Sequence, residues 1–213
     1  MYVAYATNIY KATYKVLSKN LIKVTLKKLA LVLKSVKRLQ GAMPTVAFFG
    51  FLRCGEFTVR NASDFDVTVN LCISYVLFYD DYAVLKLKES KTDPFRLGIC
   101  IQLHKINHCI CPFLILQKYI ASRIERRIYS FSCDPLFITE FGQPLDRNYF
   151  IGKLKHVLQL VRYDSSLYNG HSFRSGGATS AGQALIGDNM IKTLGRWSSQ
   201  SYCTYIKASK KHN

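Results

Sequence analysis

Apolar residues along this chain follow two periods. Between residues 72 and 104 they run as short strand-like segments, CISYVLFY (72–79), YAVLKLKES (82–90) and LGICIQLH (97–104), separated by the turn signals YDDY and SKTDPFR. These predict a small three-stranded antiparallel sheet. On either side the spacing is helical. AMPTVAFFGFLRCGEFT (42–58) predicts a buried helix with Arg53 and Glu56 at its polar end. After the sheet come CPFLILQKYIASRIERR, LDRNYFIGKLKHVLQLV with Asp146 as N-cap, the segment HSFRSGGATS, then GDNMIKTLG, and finally SSQSYCTYIK, where Ser198 can cap. The expected fold class is α+β, mainly α-helical. No internal repeat or low-complexity linker interrupts it.

HSFRSGGATS (171–180) is a helix that is not built for stability alone. Gly176 and Gly177 each weaken a helix by about 1 kcal/mol. His171 and Arg174, three apart, share one helical face and can present an imidazole and a guanidinium to a common target. The small residues behind them allow close approach to a neighbouring element.

The first forty residues add charge to the pattern. They hold nine basic residues and no acid, with Lys11, Lys15, Lys19, Lys23 and Lys27 recurring every fourth position. As a helix they form a slowly winding basic stripe. Like charges at i,i+4 repel by about 0.2–0.5 kcal/mol per pair, which phosphates would relieve. A solvated helix face is the competing explanation. Over the whole chain, 30 Lys and Arg against 13 Asp and Glu give a net charge of +17. Such an excess points to a polyanion: nucleic acid first, because each Lys or Arg facing a phosphate releases condensed counterions, and an anionic membrane surface second.

The longest apolar run, MPTVAFFGFL (43–52), falls well short of the roughly 20 residues a membrane helix needs. The N-terminus lacks the compact apolar run of a secretory signal. Seven cysteines, an odd number scattered through apolar stretches, suit a reducing compartment. His104, His108, Cys109 and Cys111 cluster in sequence, but they contain no CxxC and no second ligand pair follows, so no metal site is expected.

The polar residues at element ends are Arg53, Glu56, Lys91, His171, Arg174, Trp197 and Tyr205. The motifs FLRCGEF, SKTD, HSFRSGGAT and LGRWSSQSYCTYI that carry them resemble the catalytic domain of the tyrosine recombinases, the phage-integrase family, in the form found in eukaryotic mobile elements of the Crypton or DIRS kind. The resemblance covers about 45–207 and needs several ordered motifs to coincide.

It implies a role for each residue. Tyr205 would attack a scissile DNA phosphate, leaving a 3′-phosphotyrosyl bond and a free 5′-hydroxyl, with Tyr202 its rival at i,i−3. Arg53 and Arg174 would hold the nonbridging oxygens, a task suited to planar forks that stay charged. Lys91 would protonate the leaving 5′-oxygen; Lys86 and Lys88 compete, but they alternate with Leu85 and Leu87 and fit the wet face of a strand. His171 would assist proton transfer, and Glu56 would buttress Arg53 or His171. Trp197 would pack on the phosphate and donate its indole N–H. It stands eight residues before Tyr205, where many members use nine, a spacing that Arg196 occupies here.

The resulting expectation is a basic helical segment over 1–42, the remnant of an N-terminal DNA-binding domain, followed by a catalytic domain over 43–213. It would cut and rejoin DNA, as in site-specific recombination or integration, with no cofactor and no metal. Double-stranded DNA is the partner, with self-association or a related recombinase on the DNA, and the nucleus is the implied location. Supercoil relaxation of the type IB topoisomerase kind shares the chemistry. A decaying or domesticated DNA-binding remnant is the alternative of another class.

Overall fold

The computed structural model describes residues 42–88, 98–125 and 133–204. The basic stripe from Lys11 to Lys27, Lys91 and Tyr205 lie outside these residues. The first element, α1 (Ala42–Phe49), is buried at every position. The single helix expected over 42–58 is instead two. The chain turns left-handed at Phe51 (φ 49°) and restarts as the four-residue helix α2 (Cys54–Phe57), so Arg53 stands at a helix start and not at a helix end.

A 3₁₀ turn (Ile73–Tyr75) shortens the first expected strand. The sheet is β1 (Val76–Phe78), β2 (Tyr82–Leu87) and β3 (Ile99–His104), antiparallel in the order β1-β2-β3, with Val76 opposite Leu85 and Tyr82 opposite His104. YDDY forms the first turn, where Tyr79 N–H donates to the Tyr82 carbonyl at 2.9 Å. Ala83, Leu85 and Leu87 point into the core and Lys86 points to solvent, as period-two alternation requires. Lys88 does not belong to that wet face. It is half-buried, with its ammonium 4.5 Å from the centre of the Tyr75 ring and donating to the Val67 carbonyl at 3.2 Å. The side-chain bond to Tyr75 raises its pKa.

The remaining helices are α3 (Pro112–Glu125), α4 (Arg147–Leu160), α5 (Ser172–Gln183) and α6 (Asp188–Gly195), followed by a 3₁₀ turn (Gln200–Thr204). Pro112 opens α3, where its missing N–H costs nothing. Asp146 caps α4 as expected, accepting from Tyr149 N–H at 2.8 Å. The last turn differs from expectation: Ser199, not Ser198, accepts from the Ser201 N–H, at 3.3 Å.

α1 packs against both α3 and α5. The glycine pair in α5 explains the second contact. A Cβ on Gly177 would stand 2.9 Å from the Phe48 carbonyl oxygen, and one on Gly176 3.4 Å from the Phe48 ring. The helix-weakening glycines therefore let α5 approach α1 closely, Gly176 against the Phe48 ring and Gly177 against its main chain, where alanine would displace a backbone.

Candidate active site

Two helix C-termini meet at the centre of the molecule. Among the described residues, the non-glycine residues with positive φ are Phe51, Arg162, Leu185 and Arg196, each just past the end of a helix. All four helices close with the same pair of bonds. At α1, Phe51 N–H reaches the Phe48 carbonyl and Leu52 N–H reaches Ala47; at α6, Arg196 N–H reaches Thr193 and Trp197 N–H reaches Lys192. This ending favours glycine, and another residue there costs about 1–2 kcal/mol. At Phe51 and Arg196 the strain falls where three arginines gather.

Arg174, on α5, is buried. Its Nη1 donates to the Phe51 carbonyl at 2.5 Å and its Nη2 to the Gly195 carbonyl, so one guanidinium joins the ends of α1 and α6. Cations are favoured at these negative dipole ends. Trp197 lies over Arg174, with the guanidinium carbon 4.3 Å from the ring centre, a cation–π contact. The indole also meets Phe51 edge to face at 6.2 Å and Tyr202 at the same centroid distance. The expected phosphate-facing tryptophan is thus a buried lid on Arg174. Only glycine at position 195 permits it, because a Cβ there would stand 1.5 Å from Cζ3 of the indole.

Arg196 holds the other side. It donates to the carbonyls of Gly50 (2.9 Å) and Phe51 (3.1 Å), and to Glu56 Oε2 (2.8 Å). Glu56 in turn accepts from Arg53: Oε1 from Nη1 at 3.0 Å and Oε2 from the backbone N–H at 2.8 Å. The carboxylate therefore bridges Arg53 and Arg196, so of the two partners expected for it, it engages Arg53. His171 starts α5 and is exposed, whereas Arg174 one turn later is buried, so the pair does not present one open face.

The structure thus brings Arg53, Glu56, Arg174 and Trp197 together and places His171 at the adjoining helix start. Sequence reasoning left Arg196 open against Trp197; the signal for it was its spacing from Tyr205. Beside Arg53, Gly55 lines an open groove of about 820 Å³ with Arg60, Asn61, Arg147 and Asn148, which adds two exposed arginines. Asp64 and Asp66 also line it. Asp64 accepts from Asn61, and hydrogen bonds from Thr68 hold the Asp66 pKa down. Among the described residues no three His, Cys, Asp or Glu side chains are grouped to hold a metal ion.

Tyr202 is the other tyrosine of the last segment, and its side chain is buried. Burial first, then Cys203 and the Asp188 carboxylate, push its phenol up to about 12. A buried, reluctantly ionised phenol is poorly suited to attack phosphorus. The described chain ends at Thr204, one residue before Tyr205.

A mainly helical domain with one three-stranded antiparallel sheet is the fold of the tyrosine recombinase catalytic domain. Among solved structures, the XerH site-specific recombinase bound to palindromic difH substrate, a post-cleavage complex, matches with a TM-score of 0.61 at 16% identity, over 86% of this chain and 48% of that one. Its pre-cleavage complex matches at 0.62 and 15%, over 86% and 50%. XerA recombinase matches at 0.59 and 16%, over 88% and 59%. The chain therefore spans about half the length of these proteins. No family model matches the chain, and no curated protein matches it.

Proposed function

We propose that this chain cuts and rejoins DNA through Tyr205. The observation that carries the proposal is the convergence of Arg53, Arg174 and Arg196 on the Phe51–Glu56 turn, from segments more than a hundred residues apart. Such a cluster of permanent cations gives the turn a positive potential suited to an anionic phosphodiester, and the exposed fork of Arg53 matches its oxygens. The likeness in fold to the site-specific recombinase XerH bound to its difH substrate supports this reading.

In the proposed reaction the Tyr205 oxygen bonds to phosphorus as the bond from phosphorus to the 5′-oxygen breaks. The phenol passes its proton to His171, and the leaving oxygen gains one from Lys91. Arg53, whose side chain is 20% exposed, is the guanidinium that reaches an oxygen of the incoming phosphate. Arg174, bonded to the Phe51 and Gly195 carbonyls beneath Trp197, sustains positive potential at the site. His171, exposed at the start of α5, serves as proton carrier at the rim. Arg60 and Arg147 extend the basic track, and the chain works in company with further recombinase subunits on duplex DNA. The resemblance of its motifs extends this proposal to a mobile element of the Crypton or DIRS kind acting in the nucleus.

The test is incubation of the full chain with nicked duplexes that trap covalent intermediates. A gel-stable adduct that disappears in Tyr205→Phe, with DNA binding retained, is expected. Lys91→Ala should slow trapping on an ordinary 5′-oxygen and recover on a 5′-thiolate leaving group, which needs little protonation. Binding to duplex without any adduct would instead support a passive DNA-binding remnant, a reading that the buried, carbonyl-bonded Arg174 also favours.

A further inference from the structure

We infer that Arg196 is a positioning residue that sets the Arg53 guanidinium through the shared Glu56 carboxylate and takes no phosphate oxygen itself; this rests on the function proposed above. Arg196 occupies the nine-residue spacing before Tyr205 at which the resembling family places a phosphate-touching side chain. Its guanidinium is directed elsewhere. Nη1 donates to Gly50 at 2.9 Å, and Nη2 donates to Phe51 at 3.1 Å and to Glu56 at 2.8 Å.

Burial follows the same order of charges. The side chains of Arg196 and Glu56 are 8% and 6% exposed, whereas that of Arg53 is 20% exposed. The outer cation is thus Arg53, and the inner pair fixes it. Both carboxylate oxygens are committed: Oε1 to Arg53 Nη1, and Oε2 to the Arg53 backbone N–H and Arg196. A carboxylate held from two sides by planar donors has little rotational freedom, so the Arg53 fork it engages is held as well. Arg196 can be so placed because its backbone turns left-handed (φ 56°) at the end of α6, carrying its side chain back to the end of α1. The end of α6 is thereby tied to Arg53, and the chain from that end leads directly to Tyr205.

Three measurements on the full chain test this. The first is the salt dependence of duplex binding. Each lost phosphate contact makes the slope of log K against log salt shallower by about 0.9. Arg53→Gln should show that change and Arg196→Gln should not. The second is the trapping rate at saturating nicked duplex. A misplaced phosphate ligand can slow reaction by about 10²-fold. Arg196→Gln should slow trapping in this range without weakening binding, Arg196→Lys should recover part of the rate, and Glu56→Gln combined with Arg196→Gln should be no slower than Glu56→Gln alone. A slope for Arg196→Gln as shallow as that for Arg53→Gln, or multiplicative rate losses in the double variant, would overturn the inference. The third is a thermal-stability cycle on the same variants, in which the Glu56 and Arg196 losses should be non-additive; additive losses would break the link. An unmodified chain that forms no adduct would sink the proposed cleavage, while the slopes and the stability cycle would still decide the role of Arg196.

Discussion

Gly195→Ala opposes two effects of different size, and the structure says which wins. In a helix, alanine is favoured over glycine by about 1 kcal/mol. Gly152 shows that effect alone: it is exposed in α4 and an added Cβ meets nothing within 4 Å, so Gly152→Ala should stabilise by about that amount. At Gly195 the added methyl would stand 1.5, 2.0 and 2.3 Å from the Cζ3, Cε3 and Cη2 atoms of Trp197. The indole must leave. Overpacking costs about 1–3 kcal/mol, loss of the cation–π contact with Arg174 adds about 0.5–2 kcal/mol, and loss of the edge contact with Phe51 adds about 0.5–1.5 kcal/mol. Set against the helix gain, a net loss of about 3 kcal/mol follows. At roughly 2–4 °C per kcal/mol for a chain of this size, Gly195→Ala should lower Tm by about 6–12 °C and Gly152→Ala should raise it by about 2–4 °C. Trp197 is the only tryptophan, so its fluorescence reports on the same event. Emission should shift to the red in Gly195→Ala and stay in place in Gly152→Ala. A Gly195→Ala protein with raised Tm and unshifted emission would refute the geometry of the lid.

Leu185 is 93% exposed and left-handed (φ 57°), so Leu185→Gly removes strain without removing burial. It should stabilise by about 1 kcal/mol, read as a higher denaturant midpoint at unchanged m. Asp146→Ala should cost about 1 kcal/mol by uncapping α4, and Asp146→Asn only a small part of that; equal losses would mean the charge and not the cap matters. Tyr202→Phe should keep the ring packing and preserve covalent trapping. Because its phenol is raised to about 12, the folded chain keeps a proton that the unfolded chain releases near pH 10. That stabilisation is full below pH 10 and is lost as pH rises towards 12, so the Phe variant should lose less stability across this window than the unmodified chain. Melts that fall in parallel would show that Tyr202 is not the group responsible.

Local physics carried much of this architecture. The alternation that turns Ala83, Leu85 and Leu87 inward belongs to β2 itself, and the Asp146 cap and the Pro112 start each act within one helical turn. Such features are legible because the interacting groups are neighbours in the chain. The glycine pair in HSFRSGGATS signalled a close approach, though nothing local named Phe48 as the surface approached. The break after α1 was hidden because FFGFL is apolar and the turning residue is Phe51, not glycine. The bonds that hold it come from Arg174 and Arg196, 123 and 145 residues away. Spacing likewise set Arg196 and Trp197 side by side as candidates without choosing between them. Their division of labour, one bridging to Glu56 and the other covering Arg174, exists only once α6 is folded against α1. A residue's period fixes which face it occupies, whereas the partner that meets that face is set by elements brought together from distant parts of the chain.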